Sequence, residues 1–269
     1  MTYDSVPAVG VNSKGHVIVY DRGPKVLFEF DENEKFIRAF GEHYAARPHG
    51  LRIDAADNIW ITDVTDNTVM KLNPAGDILM ILGTRCETGT WDEAAGKHLF
   101  NQPTDLAIGP NGEIFVATGH GGDDPRIVRF DRNGKFITTW SLKEAGDTAT
   151  TRHDIHTLVV DKNGVVYAAD RELKRIRVFD SSGKHLRDIQ MEYLVSGLYI
   201  NKDGSLWMVS GQDGQVMKLD WNGKVLGATG KLGKGNNEYG EAHMLTMGLK
   251  NQIYVADTVN NRVQKLIKR

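Results

Sequence analysis

From Ala8 onward the chain alternates short apolar runs with clusters of Gly, Asn, Asp and Lys. Arg47–Leu72 carries the pattern most clearly. It reads as an inner strand after His49, a turn at Ala55–Asn58, a second strand through Trp60–Thr62, a polar turn, and a third strand ending at Leu72. Period-two alternation between turn residues is the signature of half-buried strands, not helices.

That unit recurs six times: Ala8–Gly41, His49–Gly83, Thr104–Trp140, His156–Ile189, Ser196–Gly230 and His243–Arg269. Each copy has a first turn of related chemistry (SKG, AADN, PNG, KNG, KDG, LKN), and the first five have a later one (ENEK, PAGD, RNGK, SSGK, WNGK). Gly, Asn and Asp there supply the positive φ that tight hairpins require. Strand–turn–strand units at a period of roughly 40 residues predict an all-β, six-bladed β-propeller with four-stranded blades, a single domain over 1–269. Glu87–Lys97 is the best helical candidate and lies between copies two and three. The sixth copy ends after its third strand. Either Met1–Val6 supplies an outermost strand that closes the ring, or the last blade has three strands.

Composition adds mainly exclusions. The 269 residues are 40% hydrophobic with a net charge of −2, enough for a substantial core and no electrostatic reason to bind nucleic acid or an anionic membrane. No apolar run approaches the ~20 residues of a membrane span. The N-terminus lacks a signal-peptide pattern, which predicts a cytoplasmic protein unless a leader has been removed. One cysteine, Cys86, rules out an internal disulfide and a Cys-based zinc site. Oligomeric state is not readable.

The copies differ at two slots. The residue before the first strand is Pro7, His49, Thr104, His156, Ser196 and His243 in order, so His occupies alternate copies. The first strand of each propeller blade lines the central channel. Three alternate-blade imidazoles would therefore converge on one point, as a three-His metal site with open positions requires. The second slot follows the second strand and carries Arg22 and Arg171 in copies one and four. They are either solvated turn residues or cations over the channel mouth able to clamp a carboxylate or polarise a carbonyl. Copy three inserts a Gly-rich loop with His120, Asp123 and Asp124. His120 suits a general base or acid beside a metal, or is simply a surface-loop residue. Asp123 and Asp124 read as solvated carboxylates before they read as a cation site.

The stretches IYVADTVNNRVQKL in copy six and IWITDVTDNTVMKL in copy two resemble the NHL repeat. RPHGL at His49, IHTL at His156, AHML at His243, Arg22–Gly23 and ADRELKRI at Arg171 resemble the zinc ligands and active-site arginines of the peptidyl-α-hydroxyglycine α-amidating lyases. That resemblance implies a six-bladed propeller holding zinc on three histidines and cleaving an N-acyl carbinolamide to an amide and glyoxylate. Three features depart from the family. Its catalytic Tyr is replaced by His120, its calcium-associated Asp by Met244, and its disulfide cysteines are missing, so the base, the calcium and the substrate do not simply carry over.

The expected function is a metal-dependent lyase or hydrolase acting on a small polar molecule, with zinc the expected ion. The substrate would be a carboxylate-bearing amide, α-hydroxy amide, ester or lactone. The metal would lower the pKa of a substrate hydroxyl or a water, His120 would move the proton, and Arg22 and Arg171 would hold the carboxylate. Two other readings stand beside it: a non-catalytic NHL scaffold binding a peptide or protein, and a calcium-dependent lactonase-like propeller, which would want carboxylates where the slot offers His.

Overall fold

The computed structural model describes residues 2–267. It is a ring of antiparallel sheets whose strands follow one another radially outward, each blade in simple sequence order. The inner strands are Ala8–Val11, Pro48–Ile53, Asp105–Ile108, Ile155–Val160, Gly197–Ile200 and Ala242–Met247. Blades one to five each have four strands, and six blades close the ring as the repeat predicts.

The hairpin turns have a common cause that the glycines only half disclose. Asn12, Asp31, Asp54, Asp131, Asp161, Asp180 and Asp220 each accept, on Oδ1, the backbone N–H groups two and four residues ahead. The carboxylate or amide takes the place of a backbone acceptor and forces the third residue into the left-handed region. Gly15, Gly134, Gly164, Gly183 and Gly223 sit there, and so do Glu34 and Asp57, with φ of 67° and 61°. The Asx residue that opens the turn is what all seven share.

The core lies between neighbouring blades. Ile176, Val178, Leu198, Met208 and Met217 pack blade four on blade five, and Tyr20, Leu27, Leu51, Ile61 and Met70 pack blade one on blade two. On the axis, Arg52 of blade two reaches across to the fully buried Asp105 of blade three. Its Nε donates over 3.0 Å and its Nη2 also contacts that carboxylate. Thr157 of blade four donates to the same Asp105 over 2.6 Å. The guanidinium also donates to the Leu198 carbonyl of blade five. One buried ion pair thus ties four blades together at the channel.

One expectation changes, and one open alternative is decided. Glu87–Lys97 is not helical, and no helix occurs among the described residues, so none is long and apolar enough to cross a membrane. The segment has one apolar anchor and no 3.6-residue stripe. Trp91 is buried against Phe100 and Phe130, with ring centroids at 5.2 and 4.7 Å, and the chain folds around it through the bridges Thr88–Phe100 and Asp92–Lys97. Blade six has three strands among the described residues. Met1 lies outside those residues, and Thr2–Val6 forms no strand. It runs instead as a strap between the last blade and the first: Asp4 and Ser5 donate their N–H groups to Asp21, and Thr258 donates to the Val6 carbonyl over 3.0 Å.

Candidate metal centre

At one end of the channel the inner strands of blades two, four and six do something the other three do not. Pairing runs Ile155–Asp170 and then Thr157–Ala169, leaving His156 as an extra residue. In blade six it runs Ala242–Asp257 and then Met244–Ala256, leaving out His243. In blade two it runs Pro48–Asp63 and then Leu51–Ile61, so His49 and Gly50 together face Thr62. The inner strands of blades one, three and five pair without a shift. The histidines therefore lie one residue inside their strands, at β-bulges, and not just before them as the repeat alignment implies. A bulge re-aims a side chain that regular pleating would send elsewhere.

The three rings meet. Their centroids are 4.8 Å apart for His49–His156, 4.7 Å for His49–His243 and 4.6 Å for His156–His243. All three side chains are buried, and their ligand-capable nitrogens lie within 4.8 Å of one another.

Their protonation follows from the partners. His49 Nδ1 lies 2.8 Å from the Thr104 carbonyl, His156 Nδ1 2.5 Å from the Ser196 carbonyl, and His243 Nδ1 2.8 Å from the Pro7 carbonyl. A carbonyl can only accept, so each Nδ1 carries a proton. Burial, reinforced by neighbouring His and Arg charges, pushes all three imidazoles far toward the neutral form, His243 to about 3. A neutral ring with a protonated Nδ1 leaves a bare lone pair on Nε2. The Nε2 atoms of His49 and His156 are buried without a hydrogen-bond partner among the described residues. Three converging lone pairs, each fixed by a carbonyl on the opposite nitrogen, can hold a divalent ion and suit a borderline metal best.

His120 stands beside this triangle. Its ring centroid is 4.9 Å from His49 and 5.7 Å from His156. Its loop is set by Gly119, whose N–H donates to Asn101 O and whose φ is +101°, and by His120 N donating to Gln102 O. His120 Nδ1 is 3.0 Å from Asp154 Oδ1.

The two arginines flank the triangle from different sides. The Arg22 charge acts on His49 and His243, and the Arg171 charge acts on His156 and His243. They are not equivalent. Among the described residues Arg22 spends only Nε, which donates 3.1 Å to Pro48 O. Arg171 is committed to Asp154 Oδ2 over 2.7 Å and to Glu172 over 3.1 Å. Asp124 is partly exposed, and Arg126 Nε lies 2.9 Å from both its oxygens. Met244 is buried with Ala8 and Leu51, and its thioether offers a hard cation no oxygen.

Sequence reasoning missed Asp154. It stands two residues before His156, where the other His-bearing copies have Arg47 and Glu241. That charged slot was visible but had no geometry to interpret it. The carbonyl acceptors Pro7, Thr104 and Ser196 were also missed as functional groups. They occupy the odd-numbered copies of the histidine slot and look there like the absence of a ligand.

A second cluster, Glu144, Asp147 and His153, is closed by its own ion pairs. Arg175 and Arg177 take Glu144 at 2.8 and 2.9 Å, and His153 bridges Asp147 and Asp170 at 2.8 and 2.7 Å.

No family model matches the chain. It is 34% identical over 183 residues to the mouse (Mus musculus) NHL repeat-containing protein 3, covering 64% of this chain and 51% of that protein. It is 24% identical over 298 residues to the Drosophila melanogaster peptidyl-alpha-hydroxyglycine alpha-amidating lyase 1, covering 97% of this chain and 51% of that protein. The chain thus spans about half the length of both curated relatives. A virginiamycin B lyase from Staphylococcus aureus superimposes with a TM-score of 0.65 over 98% of this chain and 85% of that one, at 16% identity, which speaks for the fold alone. The homologues thus include amidating lyases beside NHL-named proteins.

Proposed function

We propose that the chain is a metal-dependent lyase acting on a small, carboxylate-bearing α-hydroxy amide, with the ion held by His49, His156 and His243. The observation that carries this is the set of three neutral imidazoles with bare Nε2 atoms aimed at one another. Two of them are buried with no partner among the described residues, a costly arrangement unless something fills it. The similarity to the Drosophila lyase supports the reading, since it extends over 97% of this chain.

Zinc is the ion that three neutral imidazoles favour; bound there it supplies Lewis acidity to a substrate oxygen and leaves coordination positions open. The chain's own groups do the rest. Arg22, with its terminal nitrogens unspent, receives the substrate carboxylate. His120, through Nε2, takes the proton of the substrate hydroxyl. The freed electron pair forms the carbonyl of the product aldehyde, the C–N bond breaks toward nitrogen, and the amide nitrogen takes the proton back from His120. If the substrate is an ester or lactone instead, the same His120 takes its proton from a water. The partner is a small molecule in either case, with no call for nucleic acid or membrane.

The test is elemental analysis of the purified protein, followed by assay of an N-acyl-α-hydroxyglycine for glyoxylate release before and after chelation. One equivalent of zinc and chelator-sensitive turnover support the reading. Metal bound without turnover of the α-hydroxy amide, but with turnover of an ester or lactone, moves the chemistry to hydrolysis. Full activity in a metal-free sample sinks it, and a protein with neither metal nor activity points to a binding scaffold.

A further inference from the structure

We infer that Asp154 is a positioning residue: it fixes the His120 imidazole so that Nε2, and not Nδ1, faces the metal centre, and it ties Arg171 to that task. This rests on the reading of His120 as the proton carrier.

The geometry is specific. Asp154 is almost fully buried, at 1% exposure, and each of its oxygens has one partner. Oδ1 is 3.0 Å from His120 Nδ1, and Oδ2 accepts from Arg171 Nη2 over 2.7 Å. An ionised carboxylate only accepts, so His120 Nδ1 must be the donor, and a neutral His120 then carries its lone pair on Nε2. The opposite tautomer would set a lone pair against a buried carboxylate and turn an N–H toward the substrate. A buried orienting carboxylate behind a base is the arrangement by which an imidazole is kept in the tautomer that can accept a proton.

Asp154 is itself held from all sides. Its N–H donates to Asp170 over 3.1 Å, and its carbonyl accepts from Arg171 N over 2.9 Å. The preceding residue, His153, is locked between Asp147 and Asp170. The backbone of Asp154 is fixed within blade four and its carboxylate is held by Arg171, so the placement of the His120 ring draws on blade four as well as on its own Gly-rich loop. Arg171 neutralises the carboxylate, which keeps a buried charge from standing unpaired. Its side chain is therefore engaged with the proton-carrying side of the site, while Arg22 faces the substrate anion alone. The centre has two unlike walls: Arg22 of blade one receives negative charge, and His120, Asp154 and Arg171 of blades three and four manage the proton and the leaving group.

The experiment compares the zinc-loaded wild type with Asp154→Asn, His120→Gln and the double variant, reading zinc content, turnover of an N-acyl-α-hydroxyglycine and the imidazole nitrogens by 15N NMR. In the wild type the His120 signals show a protonated Nδ1 and a bare Nε2. Asp154→Asn keeps one zinc per chain and an unchanged KM, loses kcat by about 100-fold, and mixes the two tautomers. The double variant is no slower than His120→Gln alone, because the contribution of Asp154 to turnover runs through His120. Unchanged kcat in Asp154→Asn, losses that multiply in the double variant, or a wild-type His120 protonated on Nε2 overturns the inference. If the wild type binds no zinc or turns nothing over, the proposed function fails, and the NMR measurement still decides whether Asp154 sets the tautomer.

Discussion

His243 donates its Nδ1 proton to the carbonyl of Pro7, 2.8 Å away and 236 residues earlier in the chain. The same bond joins His49 to Thr104 and His156 to Ser196. Each histidine thus donates to the residue that occupies its own slot in the next blade. Around the channel mouth, ligand and acceptor alternate. The bond that joins the last blade to the first is also the one that turns the bare Nε2 of His243 toward the other two histidines.

Acid should destabilise the metal-free protein. His243 titrates near 6.5 when unfolded and at about 3 when folded, because burial and then the Arg22 charge oppose its protonation. His49 and His156 shift the same way. The unfolded chain therefore takes up protons first as pH falls, and stability drops from about 6.5 downward until the folded rings titrate. Urea midpoints of the chelated protein at successive pH values check the sign. A midpoint that rises on acidification from 6.5 to 5 contradicts it, and adding zinc at neutral pH should raise it.

Gly50→Ala should weaken the metal site while leaving the propeller folded. A Cβ at position 50 would stand 2.6 Å from the Thr104 carbonyl and 2.9 Å from Thr62 Oγ1. That carbonyl is the acceptor that orients His49. Loss of an outer partner of this kind typically costs 10- to 100-fold, so about that loss in metal affinity is expected. Titration with zinc against a competing chelator measures it, with circular dichroism as the control for fold.

Arg22→Ala should raise KM more than it lowers kcat for a substrate that carries a carboxylate. A charge-assisted hydrogen bond contributes about 1.5–3 kcal/mol, or about 10- to 150-fold in binding. The matching amide or ester of the same substrate should lose far less. Equal losses for charged and uncharged substrates would remove the anion from Arg22.

Arg52→Leu should cost stability. It strands the fully buried Asp105 carboxylate beside Thr157 and the Leu158 N–H. Breaking a buried pair by removing one partner costs about 3–5 kcal/mol. Arg52→Leu combined with Asp105→Leu should recover part of that loss, and urea unfolding of the three variants separates the two effects.

Much of the fold was legible in the chain because a repeat states the same rule several times. Turn chemistry and alternation at Arg47–Leu72 sufficed for one blade, and the other copies fixed the number. The strand ends were less legible. His49, His156 and His243 read as lying before their strands because a one-residue bulge leaves no mark on hydrophobic alternation. Glu87–Lys97 read as the best helix because a single tryptophan can organise a loop without periodicity.

The sequence by itself determined the six repeats, the threefold placement of His49, His156 and His243, and the presence of Arg22, Arg171 and His120 near one face. These are properties of order along the chain, which periodicity preserves. Only the tertiary structure decided which nitrogen each histidine turns inward, that Arg22 is held by a backbone carbonyl while Arg171 is paired with carboxylates, and that Asp154 stands behind His120. Those outcomes depend on hydrogen bonds, within blade four and between blades, whose partners lie from 17 to 236 residues apart. A backbone carbonyl such as that of Pro7 carries no side-chain signal, and its acceptor role exists only once ring closure has brought it to His243.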